Sequence, residues 1–315
     1  MTAAAIFLGV DGGGTKTEFV CIDEAGAVIG RHVEGTTYHL QVGLDGAVHA
    51  LQDGIVAVCA QAGVAASDLT FTFFGLPAFG EDAVIDPQLE RHCGRLLGHD
   101  RYLCGNDMIC GWAGSLACAD GINLVCGTGS IGYGGRQGRT ARVGGWGEVF
   151  SDEASAYWIA IQGLNAFTRM SDGRLPKGPL HEAFRRALEL DADLDICARV
   201  MGENGLERDG IAGLAPIVAQ AVAAADPAAI AIHDLAADEL AAMAEALRAK
   251  LGFSADEPVP LSWSGGVLTN DASIRSRLEA RLHAAGPYQL VKPQHSPAYG
   301  AALYARHQAR RGAEL

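Results

Sequence analysis

The segment LGVDGGGTKTEFVCIDEAGAVIG, residues 8–30, constrains the fold more than any other part of the chain. Two apolar, β-prone runs flank Asp11 and Thr15, and three consecutive glycines lie between those two residues. Glycine costs about 0.5–1 kcal/mol of backbone entropy inside a strand, so three in a row need a local reason. The pattern predicts three strands, at 5–10, 17–23 and 27–34.

The glycine turn has a chemical interpretation and a structural one. Without a Cβ, its backbone N–H groups can approach an anion closely. Asp11 can bind a hydrated divalent cation, Thr15 and Thr17 offer hydroxyl groups, and Lys16 adds positive charge. The segment therefore predicts one half of a phosphate clamp. The alternative is a flexible hairpin tip that binds nothing.

The same order of elements occurs twice along the chain. Further elements of the first part are predicted as helices near 44–62 and 81–97 and strands at 69–76 and 100–107. A second series of strands starts at residue 122, and Ser151 is expected to cap the helix after it, with Asp152 in the first turn. Helices follow, then an isolated strand at 258–263 and a last helix. This order predicts an α/β protein of two related halves with a cleft between them.

Two later turns are also rich in glycine. Gly127, Gly129 and Gly132 match the dinucleotide fingerprint G-x-G-x-x-G, but the sequence SIGYGGRQGRTARVGG after them lacks a helical period. The turn is therefore interpreted as a second phosphate loop rather than as a Rossmann motif. Gly265 and Gly266 follow a buried strand and would let a flat ring lie close to the backbone. The Walker A pattern does not occur.

Charge and composition exclude several classes of function. A net charge of −13 argues against a nucleic-acid or anionic-membrane surface. The Ala-rich stretch at 211–248 contains too many polar residues for a membrane span, and no export signal is recognised, so a cytoplasmic protein is expected. The eight cysteines show no C-x-x-C pair.

Taken together, these turns resemble the sugar kinase, heat-shock 70 and actin superfamily, and within it the BadF/BadG/BcrA/BcrD ATPase family, which includes N-acetylglucosamine kinases. The motifs that carry the resemblance are GVDGGGTKTEFV, ND (106–107), CGTGS, GGWGEVFSDEASAYWIA and SGGV. It implies two ribonuclease H-like (actin-like ATPase) domains, expected at 1–118 and 119–315, with a nucleotide- and sugar-binding cleft between them. The last helix is expected to pack on the N-terminal domain. The resemblance also implies a homodimer.

The resemblance assigns the cofactors ATP and Mg²⁺ to particular residues. Asp11 would position Mg²⁺. The residues expected to bind ATP are Gly12, Gly13, Gly14, Thr15, Lys16, Gly127, Thr128, Gly129, Ser130, Gly265 and Gly266. Asp107 matches the catalytic aspartate, and Gly144, Gly145 and Asp152 match positions that touch the sugar. Without the resemblance, Asp107 reads as the cap of the next helix, and GGWG as two tight turns around a buried tryptophan.

One loop departs from the pattern of the family. Amino-sugar kinases of this family present an asparagine to the sugar after the third strand, but this chain has Tyr38 there and no asparagine between residues 31 and 50. Thr37 or His39 is the expected replacement, although a lone histidine in a loop is more often a surface residue.

The sequence thus predicts a kinase that phosphorylates the 6-hydroxyl of N-acetylglucosamine or glucosamine. The rival hypotheses are an ATPase that activates a partner reductase through an iron–sulfur cluster, which requires clustered cysteines, and a sugar sensor without turnover.

Overall fold

The computed structural model describes residues 5–313. The chain divides into two compact units, one formed by the chain up to Asp120 together with the segment from Val291 onward, the other by Gly121–Leu290. The sequence-based boundary lies two residues earlier, at 118/119.

The first unit is built on a mixed five-stranded sheet in the order β3-β2-β1-β4-β5. Its strands are β1 (Ile6–Gly12), β2 (Lys16–Asp23), β3 (Val28–Gly35), β4 (Phe71–Leu76) and β5 (Tyr102–Asn106). Its helices are α1 (His39–Ala62), α2 (Asp86–Leu97), α3 (Met108–Leu116) and, from the end of the chain, α12 (Pro297–Ala313). Strands β1, β2 and β3 are antiparallel, whereas β4 and β5 run parallel to β1. The carboxyl ends of the three parallel strands therefore meet at one edge.

Helix α12 packs directly on the first sheet and on α3. A Cβ on Gly9 of β1 would clash with the backbone of Ala302, and one on Gly300 would clash with the backbone of Gly114. These two glycines allow helix, strand and helix to approach to backbone contact. The Tyr299 hydroxyl also donates to the Gly26 carbonyl, at 2.8 Å.

The second unit repeats this topology, in the order β10-β9-β6-β7-β8. Its strands are β6 (Gly121–Cys126), β7 (Ser130–Arg136), β8 (Arg139–Gly144), β9 (Val259–Ser264) and β10 (Tyr288–Leu290). Its helices are α4 (Ala156–Ser171), α5 (Pro179–Ala187), α6 (Asp195–Met201), α7 (Arg208–Ala212), α8 (Ala215–Ala223), α9 (Pro227–Leu251), α10 (Gly266–Asn270) and α11 (Ala272–Ala285). The strand predicted at 258–263 is present as β9, but it is not the last strand of the chain, because β10 follows it. Strand β9 lies between β6 and β10, and β10 is too short, at three residues, to be recognised from the sequence.

Candidate active site

The first glycine turn joins β1 to β2 and is closed by the Gly13 N–H, which donates to the Lys16 carbonyl at 2.9 Å. None of its three glycines adopts the left-handed backbone. A Cβ on Gly12 would lie 2.5 Å from Thr37 Oγ1 and 2.7 Å from Pro77 Cδ. Packing therefore explains why residue 12 is glycine.

Packing does not explain why the third residue of the turn, Gly14, is a glycine. A Cβ on Gly14 would find its first neighbour at 3.9 Å, the side-chain nitrogen of Gln41. The turn instead borders a small pocket of about 220 Å³, lined by Asp11, Gly13, Gly14, Thr15, Lys16 and Glu18. Open space beside exposed backbone N–H groups suits the close approach of an anion.

Asp11 stands at the end of β1 in a strongly perturbed environment. Burial, reinforced by the negative charge of Asp107, raises the pKa of Asp11 to about 8. The neighbouring Cys110 thiol, held by α3, opposes this shift by hydrogen bonding to the carboxylate. The Lys16 ammonium group is paired with Glu18. A buried carboxylate with a negative neighbour favours the binding of a cation.

Asp107 follows β5 at the same edge of the sheet, in the position that caps α3. Its side chain makes no capping hydrogen bond. The cap is supplied one residue earlier, where Asn106 Oδ1 accepts from the Met108 N–H at 3.2 Å. The interpretation of Asp107 as a helix cap was therefore wrong.

The segment between β3 and α1 supports the first glycine turn. The Thr36 hydroxyl donates to the Gly13 carbonyl at 2.7 Å, and the hydroxyls of Thr17 and Thr37 are hydrogen-bonded at 3.1 Å. Thr37 is buried beside Gly12. Its described contacts are thus with the turn itself, and its contact with a sugar stays a prediction.

His39 begins α1 and is buried, so it is not the surface residue that a loop histidine usually is. Neither of its ring nitrogens has a hydrogen-bond partner among the described residues. Leaving a buried polar group without a partner costs about 1–3 kcal/mol. Such a cost is typical of a side chain that receives its partner from a ligand.

The second glycine turn, Gly127–Gly129, connects β6 to β7 and is tied to the start of α4. The Gly127 N–H donates to the Gly129 carbonyl at 2.9 Å, and the Ala156 N–H donates to the Gly127 carbonyl at 2.8 Å. The turn is therefore fixed by backbone hydrogen bonds on both sides. The expected phosphate ligand of this turn and of Ser130 stays a prediction.

The third glycine turn lies beside the second. Gly265 adopts φ +90°, and a Cβ there would clash with the Cys126 backbone. Next to these turns is a pocket of about 710 Å³ with mostly apolar walls; its lining includes Gly127, Thr128, Asp209, Ala212, Gly266 and Asn270. This volume is typical of small-molecule sites.

Asp152 lies in a strained loop rather than in a helix. It adopts φ +57°, and the helix α4 begins only at Ala156, capped by the Ser155 hydroxyl, which accepts from the Trp158 N–H. The prediction that Ser151 caps this helix was wrong, because the left-handed residues Asp152 and Ala154 interrupt it. Burial raises the pKa of Asp152, and the Arg208 guanidinium opposes this shift.

The GGWG motif forms an exposed loop. Gly144 and Gly145 adopt φ of +73° and +70°, and a Cβ on Gly145 would lie 2.6 Å from Ile131 Cδ1. Trp146 is 72% exposed, so the interpretation of two turns around a buried tryptophan was wrong. Val149 and Phe150 of the same loop are exposed as well. The loop thus presents apolar side chains beside Asp152.

One residue of this site has no signal in the sequence. Arg208 Nη2 lies 2.9 Å from Asp152 Oδ2, and Arg208 Nε lies 3.1 Å from Glu148 Oε2. It is separated from Asp152 by 56 positions and follows an irregular segment. Only the tertiary structure pairs them.

Two pairs of cysteines contact each other in the first unit, Cys21 with Cys59 and Cys93 with Cys104. All eight are free thiols, and Cys197 is the one that is exposed. Among residues 5–313, no group of three or more His, Cys, Asp or Glu side chains is arranged to hold a metal ion by itself.

Known proteins resemble this chain over almost its whole length. An N-acetyl-D-glucosamine kinase of Dictyostelium discoideum is 28% identical over 310 residues, which cover 95% of this chain and 97% of the relative. An N-acetylmuramic acid/N-acetylglucosamine kinase of Clostridium acetobutylicum is 27% identical, with coverage of 96% and 98%. The crystal structure of a provisionally named N-acetylglucosamine kinase from Chromobacterium violaceum is 26% identical, covers 96% of this chain and 99% of its own, and has a TM-score of 0.71.

The predicted family and the predicted α/β fold with two related halves are confirmed. The model of the BadF/BadG/BcrA/BcrD ATPase family matches residues 8–305, so the chain belongs to that family.

Proposed function

We propose that this protein is an ATP-dependent kinase that phosphorylates the 6-hydroxyl of N-acetylglucosamine or glucosamine. The observation that carries the proposal is the position of Asp107, a carboxylate at the carboxyl edge of the first sheet that does not cap its helix. Its neighbours at that edge are Asp11 and the open turn at Gly14. Two relatives of nearly full length, named as N-acetylglucosamine kinases, support the substrate.

Asp107 is assigned as the general base. Its carboxylate accepts the proton of the sugar 6-hydroxyl while that oxygen attacks the γ-phosphorus of ATP, and the bond from this phosphorus to the ADP oxygen breaks. General-base assistance contributes about 10²–10⁴-fold to such a reaction. The rest of the rate enhancement comes from positioning the two substrates and from neutralising the charge of the phosphates.

The residues present fit a magnesium ion at Asp11. Mg²⁺ is usually held by one or two carboxylates together with substrate phosphates, and the Asp11 carboxylate borders the pocket and is near the negative charge of Asp107. When bound, the ion would neutralise charge on the β- and γ-phosphate oxygens. The turn from Gly12 to Lys16 is assigned to these phosphates.

The nucleotide is assigned to the second and third glycine turns of the other unit. Residues Gly127 to Ser130 would bind phosphate, and Gly265 and Gly266 would lie against the adenosine, in the pocket of about 710 Å³. Sugar hydroxyls are assigned to Gly144, Gly145 and Asp152, and His39 or Thr37 takes the place of the asparagine of the family. We further propose that the enzyme is a cytoplasmic homodimer.

The test is ADP release from Mg-ATP in the presence of N-acetylglucosamine, glucosamine, N-acetylmannosamine or glucose. We expect release that depends on an amino sugar, stops with its 6-deoxy analogue, and falls about 10²–10⁴-fold in Asp107→Ala. Asp100→Ala, at an exposed position two residues before the same strand, is the control and should retain activity. ADP release that is independent of sugar and unchanged by Asp107→Ala would refute the proposal.

A further inference from the structure

Helix α7 contacts two features of the second unit, the large pocket and the loop that contains Asp152. Its residues Asp209 and Ala212 form part of the wall of the pocket of about 710 Å³. Its first residue, Arg208, is not part of that wall and pairs with the carboxylates of Asp152 and Glu148, at 2.9 and 3.1 Å. One short helix therefore contacts both the nucleotide pocket and the loop assigned to the sugar.

The ion pair also lies directly against the second glycine turn. A Cβ on Gly129 would lie 2.7 Å from Asp152 Oδ2 and 2.9 Å from Arg208 Nη2. The glycine turn and the ion pair are therefore in close contact, with no room for a side chain between them.

Arg208 retains donor capacity while it holds both carboxylates. Nη2 donates a hydrogen bond to Asp152, whereas Nε is in ion-pair contact with Glu148 without a hydrogen bond. No hydrogen bond of Nη1 is found among the described residues, and the side chain is 38% exposed. A guanidinium carries five N–H donors in a planar arrangement, so it can meet an additional anion without releasing the first two. A nucleotide phosphate at the Gly129 turn would accordingly strengthen the arrangement.

From this geometry we infer that Arg208 is a positioning residue that couples nucleotide binding to sugar binding. An occupant of the pocket fixes α7, α7 fixes Arg208, and Arg208 holds Asp152 in place as an acceptor for sugar hydroxyls. This inference rests on the proposed function. Arg208 can control the position of Asp152 because it is the cationic partner of that buried carboxylate. Without that partner, the carboxylate loses both its orientation and the stabilisation of its charge.

The coupling is measurable by calorimetry. N-acetylglucosamine is titrated into the protein alone and into the protein saturated with Mg²⁺ and the β,γ-imido analogue of ATP. In the wild type we expect the nucleotide to lower the Kd of the sugar about fivefold or more, and the sugar to lower the Kd of the nucleotide by the same factor. In Arg208→Met both ratios should approach one.

Two further variants separate coupling from folding. Arg281→Met removes another arginine of this unit that contacts two acids, Asp234 and Asp238, and should keep the wild-type ratios. Arg208→Lys keeps the positive charge but lacks the planar set of donors of a guanidinium, so it should give an intermediate ratio. This variant replaces Arg208→Met in the experiment if Arg208→Met does not fold.

The outcomes distinguish this inference from the function on which it rests. Wild-type ratios of one, or wild-type ratios retained in Arg208→Met, would overturn the coupling while leaving the kinase intact. A wild type that binds no amino sugar under either condition would overturn both.

Discussion

Asp11 and Asp107 stand at the carboxyl ends of two strands of one sheet, with β4 between them. Asp11 is in register with Gly75, and Gly75 with Gly105, so the two strands lie about 10 Å apart. The charge of Asp107 reaches Asp11 and raises its pKa. A base and a cation ligand thus share one electrostatic environment, in which a bound cation would favour the ionised form of both.

Replacing Asp11 should raise the stability of the protein and weaken its use of Mg²⁺. Asp11→Asn removes a carboxylate whose pKa is raised by burial and by Asp107, so we expect the Mg²⁺-free protein to unfold about 2–4 °C higher. The same variant should need far more Mg²⁺ for half-maximal activity. Thermal unfolding in EDTA and a Mg²⁺ titration of ADP release test both parts. A lower unfolding temperature with an unchanged Mg²⁺ requirement would contradict the assignment.

The glycines of the first turn should respond differently to a methyl group. Gly12→Ala places a Cβ against Thr37 and Pro77 and should cost about 1–3 kcal/mol of unfolding free energy. Gly14→Ala has room for its Cβ and should leave the unfolding temperature unchanged. It should nevertheless raise the KM for ATP about tenfold. Chemical denaturation and steady-state kinetics of the two variants provide the comparison, and equal effects on stability would argue against it.

His39 offers a test of sugar recognition. His39→Leu replaces an imidazole whose nitrogens have no partner among the described residues, so the stability should be equal or higher. The KM for the amino sugar should rise about three- to tenfold, the value of one ordinary hydrogen bond, with the KM for ATP unchanged. His49→Leu, at an exposed position of the same helix, is the control. A destabilised His39→Leu with an unchanged sugar KM would show that the residue has a purely structural role.

A cluster around Asp193 predicts a dependence of stability on pH. Its carboxylate accepts from Lys177, His181 and Arg185, and the hydrogen bonds of Lys177 and His181 lower the pKa of Asp193. A lowered pKa adds stability above the pKa of the unfolded chain, near 4, which is lost as the pH falls through the folded value. Asp193→Asn should therefore cost about 1–2 kcal/mol at pH 7 and less at pH 3.

Urea unfolding at the two pH values measures this difference. The control is Asp191→Asn, which removes a neighbouring exposed acid. A loss in Asp193→Asn that is as large at pH 3 as at pH 7 would contradict the electrostatic explanation.

The sequence was sufficient for the fold and for the three glycine turns. Glycine turns after β-prone runs are local signals, and each of the three lies between the elements expected for it. The predictions that were wrong or missing concern features that depend on long-range packing or on an unusual backbone conformation. The left-handed conformation of Asp152 moved the start of α4, and the three-residue strand β10 is recognisable only beside β9. Arg208 was missed because its partners are distant in sequence, and the burial of His39 because it depends on tertiary contacts.

The return of α12 to the first sheet determines the order in which the protein can fold during synthesis. Residues up to Asp120 leave the ribosome first, yet β1 obtains its backbone contact with α12 only after residues 121–290 have been made. At 5–20 residues per second this interval lasts roughly 10–30 s. The second unit is continuous and can fold meanwhile. During this interval the nascent first unit lacks the helix that covers its central strand β1, so apolar surface of that strand stays exposed.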